Sequence, residues 1–215
     1  MTPTEDIETF LKEFQKVEPL DWTSLKILDP AAGGNNEVRD EMGLRELRHE
    51  MSYPTALTNL YGECNIDTYD IREDSFAVHK ENYLQAELNY EPDIIITNPP
   101  FSIAMDVVNK ALRDVKQGGF VIMLLRLNFF GSKERFKFFK EHMPKYVFVH
   151  HKRMSFFEKK KEGVILFDKT GNPRRGATDS IEYCHMVFQK GNYPEFAKRK
   201  LFNVVRKSLE SGDLM

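Results

Sequence analysis

Apolar residues in this chain recur either at three- and four-residue steps or in short continuous runs, and the two patterns alternate. Over "TPTEDIETFLKEFQKV", Ile7, Phe10, Leu11 and Phe14 share one helical face, with Thr4 as a candidate cap. "SLKILDPAAGGNN" is a short apolar run that stops at Asp29-Pro30 and a small-residue loop, as a buried parallel strand does when it opens into a ligand-binding turn. Residues 37–49 are charged and weakly periodic, which fits a loop or a short helix. "SYPTALTNLYG" predicts a second helix, capped by Ser52, with Pro54 in its first turn and Gly62 as its stop.

A second strand follows in "NIDTYDI", and "FAVHKENYLQAEL" is a short helix or turn leading towards an edge strand. "PDIIIT" is the next strand. "FSIAMDVVNKALRDVKQ" is a helix with Ile103, Val107, Ala111 and Val115 on one face, closed by Gly118-Gly119. "GFVIMLLRL" has the unbroken apolar character of a central strand covered on both faces. "KERFKFFKEHM" predicts a helix and "KYVFVHH" a strand. "GVILFDKTGNP" fits a hairpin arm turning at Gly171-Asn172, "SIEYCHMVFQKG" a last strand, and "EFAKRKLFNVVRKSLES" a terminal helix.

Strands alternating with helices, without internal repeat or low-complexity linker, predict an α/β fold: a doubly wound, mainly parallel sheet. The 215 residues suit a single domain spanning the whole chain. Ligands of such sheets sit beyond the carboxyl ends of the strands.

Composition adds limits. With 41% hydrophobic and 30% charged residues, the chain resembles ordinary globular proteins and not disordered ones. No apolar stretch approaches the roughly 20 residues of a membrane span, and the acidic, amphipathic start is unlike an export signal. Cys64 and Cys184 are far apart and have no metal-ligand spacing around them, so neither a disulfide framework nor a metal site is expected. A reducing cytoplasm is the expected setting. Net charge is −2, yet residues 145–176 carry nine Lys/Arg against three acids, leaving −8 for the rest.

Three stretches carry candidate chemistry. In "ILDPAAGGNN", Asp29 offers a carboxylate beside Gly33-Gly34, where a ligand can approach the backbone, although Asp-Pro before small residues is also a common turn. Asp70, at the end of the second predicted strand, has the position of an acid that receives ribose hydroxyls; Asp67 and Asp74 nearby suit solvated carboxylates. There is no phosphate loop of the Gly-x-x-x-x-Gly-Lys type. In "DIIITNPPF", the prolines alone could serve to end a strand. They leave Asn98 and Phe101 unexplained: an amide oxygen, the Pro99 carbonyl and a flat ring held in fixed relation suit a planar substrate bearing an exocyclic amine.

Together, "LDPAAGG", "YDI" and "NPPF" resemble the class I S-adenosylmethionine-dependent methyltransferases, above all their amino-methyltransferase branch, which includes DNA N6-adenine enzymes. Asn98-Pro99-Pro100-Phe101 matches that branch's Asn/Asp-Pro-Pro-Tyr/Phe/Trp tetrapeptide. The likeness extends over roughly residues 25 to 190, and "LLRLNFFGSKERFKFF", "KRMSFF" and "GATDSIEYCHMVFQKG" resemble compact phage and prophage adenine methyltransferases. It implies a Rossmann-like methyltransferase sheet with an antiparallel C-terminal strand, and S-adenosylmethionine as cofactor.

By this resemblance, Asp29, Pro30 and the loop from Ala31 to Gly34 hold the amino acid part of the cofactor, Asp70 its ribose, and Ile71 its adenine. Asn98 and Pro99 bind the target amine, Pro100 fixes their geometry, and Phe101 stacks on the flipped base. Two positions depart from the pattern. Asn35 stands where the first loop usually ends in glycine, and Asn82, before Tyr83 in the same expected cofactor site, replaces an acid that binds the cofactor's adenine amine.

The basic segment, roughly residues 151–180, is expected to form a loop or hairpin extension. Lys152, Arg153, Lys159, Lys160, Lys161, Arg174 and Arg175 could neutralise phosphates there, although "EKKKEG" also suits a solvated loop. Phe156 and Phe157 suit either stacking or the core. His79, His142, His150, His151 and His185 show no catalytic pattern, and Trp22 and Met123 suit the core. The expected activity is transfer of a methyl group to the N6 amine of adenine in double-stranded DNA. RNA bases, protein glutamine and a catalytically silent nucleic-acid-binding role are the alternatives.

Overall fold

The computed structural model describes residues 2–35, 49–151, 154 and 181–202. Its strands are β1 (Lys26–Asp29), β2 (Asn65–Thr68), β3 (Ile94–Thr97), β4 (Phe120–Arg126), β5 (Tyr146–His150), β6 (Tyr183–Gln189) and β7 (Lys198–Phe202). They form one seven-stranded sheet in the order β2-β1-β3-β4-β6-β5-β7. Every pairing is parallel except those of β6, which runs antiparallel to both β4 and β5. The fold is thus the predicted mixed α/β, Rossmann-like sheet. The antiparallel strand is β6, the segment predicted as the last strand, and the parallel β7 follows it.

Helices cover both faces. α1 (Thr4–Gln15) and α2 (Ser52–Tyr61) lie on one side, where Ile7, Phe10, Phe14, Tyr53 and Leu57 pack with Ile27, Ile94, Ile96 and Ile122. α3 (Ala104–Asp114) and α4 (Lys133–Glu141) lie on the other, where Val107, Val108, Ala111, Phe138 and Phe139 pack with Leu28, Ile95, Val121 and Met123. Adjacent residues of β3 and β4 thus point to opposite cores. This explains why both strands read as unbroken apolar runs. Trp22 and Met123 are core residues, as expected.

Several local expectations are corrected. Thr4 and Ser52 are the first helical residues; Pro3 and Met51 take the cap positions, and neither makes a side-chain cap bond. The Ser52 hydroxyl donates instead to the carbonyl of Thr2 at 2.9 Å. Residues 76–88 form turns and loop without a helix or edge strand, pinned where His79 bridges Tyr69. The described part of the predicted C-terminal helix contains β7 instead, which pairs with β5 from Tyr146↔Lys198 to His150↔Phe202, and residues 203–211 of that prediction lie outside the described residues. The hairpin of residues 163–173 and the charged stretch 37–48 fall outside the described residues.

The histidines at the sheet's far side are not bystanders to the packing. His185 is fully buried, stacked on Phe10 at 3.8 Å between ring centroids. Its Nε2 meets the Tyr53 hydroxyl at 3.0 Å and its Nδ1 meets His150 Nε2 at 2.8 Å. Burial, reinforced by His150, holds the His185 pKa well below the usual histidine range, so the ring is neutral and joins α2 to β5 by hydrogen bonding.

Candidate active site

The chain leaves β1 towards β2 on one side and returns through β3 to β4 on the other, so the topological switch lies between the carboxyl ends of β1 and β3. A crevice forms at such a point because successive connections depart to opposite faces. β1 delivers Asp29 to it and β3 delivers Asn98. A cavity of ≈ 370 Å³ opens there, lined in part by Pro30, Ala31, Asp70, Ile71, Asn98 and Pro100. Pro30 and Ala31 of the predicted cofactor loop and Asn98 and Pro100 of the tetrapeptide therefore share one cleft, whereas Asp29, Gly33, Gly34, Pro99 and Phe101 do not line it.

Asp29 is 1% exposed. Its Oδ1 accepts from the Ala31 amide at 3.2 Å, and its Oδ2 has no hydrogen-bond partner among the described residues. Burial pushes its pKa up to about 7; the Thr97 hydroxyl and the Ala31 amide favour the charged form, and the Asp70 charge opposes it. Thr97 Oγ1 lies near enough to this carboxyl to favour its charge but not in hydrogen-bonding geometry, so it too has no hydrogen-bond partner among the described residues. A buried carboxylate with an open oxygen is suited to a cationic group of a ligand.

The loop after Asp29 depends on its glycines. Gly33 and Gly34 have φ of 73° and 74°, a left-handed backbone that side chains disfavour. A Cβ on Gly34 would also lie 2.8 Å from the Phe76 ring. Asp70 holds the loop from outside, its Oδ2 accepting from the Gly33 amide at 2.9 Å. This acid lies two residues beyond the end of β2 and does not close the strand as expected. Arg72 completes the clasp: its Nε donates to Asp70 Oδ1 at 3.1 Å and its Nη2 to the Gly34 carbonyl at 3.0 Å. The sequence gives no sign of this role for Arg72. Asn35 Nδ2 donates to Asp74 at 3.3 Å, so the departure from glycine is absorbed by a side-chain bond.

Ile71 is 67% exposed at the cavity wall, an apolar platform of the kind a planar ring can cover. Asn82 and Tyr83 line the same cavity. Asn82 Oδ1 accepts from the Leu84 amide at 3.1 Å, leaving one lone pair for a further donor. Tyr83 is buried, and its hydroxyl donates to Asp114 at 2.8 Å, so it shapes the wall through its ring. Leu84, Ile103 and Val107 complete the lining. These three carry no motif and are recognisable only once the chain is folded.

At the end of β3, Asn98 donates from Nδ2 to Thr2 Oγ1 at 2.8 Å, while its Oδ1 is buried and without a partner among the described residues. Pro99 is buried, and Pro100 is exposed with φ −55° and ψ 125°, which directs Phe101 into a short 3-10 turn before α3. Phe101 packs beside Tyr183 at 5.8 Å, and the Arg126 guanidinium lies over its ring, 4.7 Å from the centroid. The expected stacking face is therefore occupied by a cation from the carboxyl end of β4. Arg126 Nε is buried and makes no hydrogen bond among the described residues.

The predicted nucleic-acid contacts Lys152, Arg153, Lys159, Lys160, Lys161, Arg174 and Arg175, with Phe156 and Phe157, lie outside the described residues. Among the described residues no group of three or more His, Cys, Asp or Glu is placed to hold a metal ion, and no helix is long and apolar enough to cross a membrane.

No family model matches the chain, and no curated protein matches it. Solved structures do. A Listeria monocytogenes protein assigned to the class I S-adenosylmethionine-dependent methyltransferases superposes with a TM-score of 0.57 at 15% identity, over 95% of this chain and 65% of that one. A modification subunit assigned to a type I restriction enzyme of Vibrio vulnificus gives 0.54 at 13% identity, over 98% of this chain and 48% of that one. An S-adenosylmethionine-dependent O-methyltransferase from Thermotoga maritima gives 0.50 at 12% identity, over 88% and 66%. The chain spans less than two thirds of the length of each of these three relatives. What it shares with them is the Rossmann-like methyltransferase fold.

Proposed function

We propose that this protein binds S-adenosylmethionine in the cleft between β1 and β3 and methylates the N6 amine of adenine in double-stranded DNA. The observation that carries the reading is Asn98 Oδ1, a buried acceptor with no partner among the described residues, on a residue that lines a cavity together with Ile71, Pro30 and Ala31. Leaving such an acceptor without a hydrogen bond costs about 1–3 kcal/mol, a cost offset when a ligand donor arrives.

The residues fit the cofactor. Asp29 supplies an open carboxylate oxygen for its cationic amino acid end, the Gly33-Gly34 backbone admits close approach, and Ile71 offers a face for its adenine. Asp70 already accepts from Gly33 and Arg72, so a ribose hydroxyl would share its remaining lone pairs. When bound, S-adenosylmethionine would supply an electrophilic methyl group and leave as the neutral thioether once its S–CH3 bond breaks, the alkylated amine giving its extra proton to water.

The rest of the chemistry belongs to the chain. An aromatic amine is a poor nucleophile because its lone pair is delocalised into the ring. Asn98 Oδ1 and the Pro99 carbonyl, accepting its two hydrogens, favour the pyramidal nitrogen whose lone pair is free to attack. Phe101 and Arg126 together form the wall against which a base would stack, and a stacked duplex base must be extruded to reach it, at a cost of a few kcal/mol. A restriction-enzyme modification subunit among the structural relatives is in keeping with DNA as the acceptor, whereas the O-methyltransferase shows that the fold alone does not choose it.

Asn98→Ala separates binding from turnover. Calorimetry should show S-adenosylmethionine affinity within about threefold of wild type, while transfer falls by about 100-fold or more, the scale of losing one preorganised acceptor. A variant that methylates DNA at the wild-type rate would remove Asn98 from the chemistry.

A further inference from the structure

Thr2 lies 96 positions before Asn98, yet its side chain is the partner of the amide's nitrogen end among the described residues, at 2.8 Å. Thr2 is itself fixed. It is 5% exposed, and the Ser52 hydroxyl at the start of α2 donates to its carbonyl at 2.9 Å. The Pro3 carbonyl, next in the chain, accepts the Asp6 and Ile7 amides at the start of α1. A short segment anchored to both α1 and α2 thus reaches across to the end of β3.

A side-chain amide can rotate by half a turn and exchange its oxygen for its nitrogen. Only one of these orientations suits an amine substrate, because the NH2 end turned outward would place donors against donors. The Thr2 hydroxyl accepts from Nδ2 in the observed orientation, and Oδ1 is left without a partner among the described residues; with the amide turned over the same hydroxyl would donate to Oδ1, so it is the arriving amine that selects between the two. Once an amine has taken Oδ1, both ends of the amide are satisfied only with Nδ2 on Thr2.

We propose that Thr2 is a positioning residue for Asn98: its hydroxyl accepts from Nδ2 and so anchors the amide while Oδ1 takes the substrate amine. The inference rests on the amino-methyltransferase reading of the cleft. It assigns to the segment before α1 a part in turnover that no local motif announces. Thr2 touches neither substrate nor cofactor in this scheme, and it acts through Asn98 alone.

The test compares Thr2→Val, which keeps the shape and removes the acceptor, with Thr2→Ser, which keeps the acceptor. Asn98→Ala and the Thr2→Val/Asn98→Ala pair complete the set, with thermal melting followed for each. Thr2→Val should lower kcat about tenfold, the scale of one hydrogen bond, with S-adenosylmethionine affinity unchanged. Thr2→Ser should stay within about threefold of wild type, and the double variant should be no slower than Asn98→Ala, as for two groups acting as one. In parallel, the Asn98 side-chain NH2 resonances, identified by their loss in Asn98→Ala, should exchange slowly with water in wild type and Thr2→Ser, and quickly in Thr2→Val.

Wild-type kcat in Thr2→Val, or a loss of cofactor affinity and melting temperature in step with kcat, overturns the proposal. So does a double variant slower than Asn98→Ala by the full Thr2 factor. If the wild-type protein methylates no nucleic acid, the functional reading fails on its own. The exchange measurement then still decides the contact, a rapidly exchanging wild-type NH2 overturning it.

Discussion

Asp29 meets two opposed demands. Its folded pKa of about 7 lies above the ordinary 3.8, chiefly through burial. Between these values the folded chain holds more protons at this position than the unfolded chain. Stability from this group is therefore fully present below pH 4, falls as pH rises towards 7, and is level above it. The cost at alkaline pH is on the order of 4 kcal/mol. Asn at this position keeps the oxygen that accepts from Ala31 and places an NH2 towards the unpartnered Thr97 hydroxyl. Asp29→Asn should therefore melt several degrees above wild type at pH 8, with the difference vanishing near pH 4, while binding S-adenosylmethionine poorly at every pH. Wild-type cofactor affinity should weaken as pH falls below about 7. Thermal melts and calorimetry across this range check both, and equal melting at pH 8 would contradict the burial of the charge. At this scale the sequence revealed what is local. Asn98 to Phe101 are adjacent, so their chemistry shows in the string. Thr2, Arg72 and Arg126 reach the site only through the fold, and nothing in their neighbours marks them.

Among the elements, those with a strong period or an unbroken apolar run were legible: α1, α3, β3 and β4 match their predicted positions within a few residues. β7 was misread because Lys198, Arg199, Lys200 and Leu201 favour a helix by intrinsic propensity, whereas Phe202 is the only one of its residues buried. Pairing with β5 decides the matter, a tertiary override of a weak local preference. Its basic side chains suit the sheet edge, where they discourage further pairing. The joint between α3 and β4 shows the opposite case, a local residue with a global reason. A Cβ on Gly119 would lie 2.6 Å from the Asp93 carbonyl and 2.7 Å from Val115 Cγ2, and the next amide, of Phe120, donates to that same carbonyl at 3.0 Å. Gly119→Ala must push β3 and β4 apart at their amino ends. It should cost about 1–3 kcal/mol, the scale of overpacking, seen as a lower midpoint in urea. An unchanged midpoint would show that this joint yields freely.

For the molecule as a whole, parallel strands with helices on both faces follow from alternating patterns that any such chain displays, and the switch point follows from strand order. The substrate does not. Fold likeness at 13% and 12% identity extends both to a restriction-enzyme modification subunit and to an O-methyltransferase, and in the proposed scheme the choice of acceptor falls to the groups around Asn98, Phe101 and Arg126. The decisive measurement is to incubate the purified protein with methyl-labelled S-adenosylmethionine and, separately, duplex DNA, RNA and protein, then digest each acceptor and identify the labelled product. Label on N6-methyladenine from duplex DNA, absent with Asn98→Ala, is the expected result. Label confined to RNA, to glutamine or to an oxygen, with DNA adenine unmodified, would contradict it.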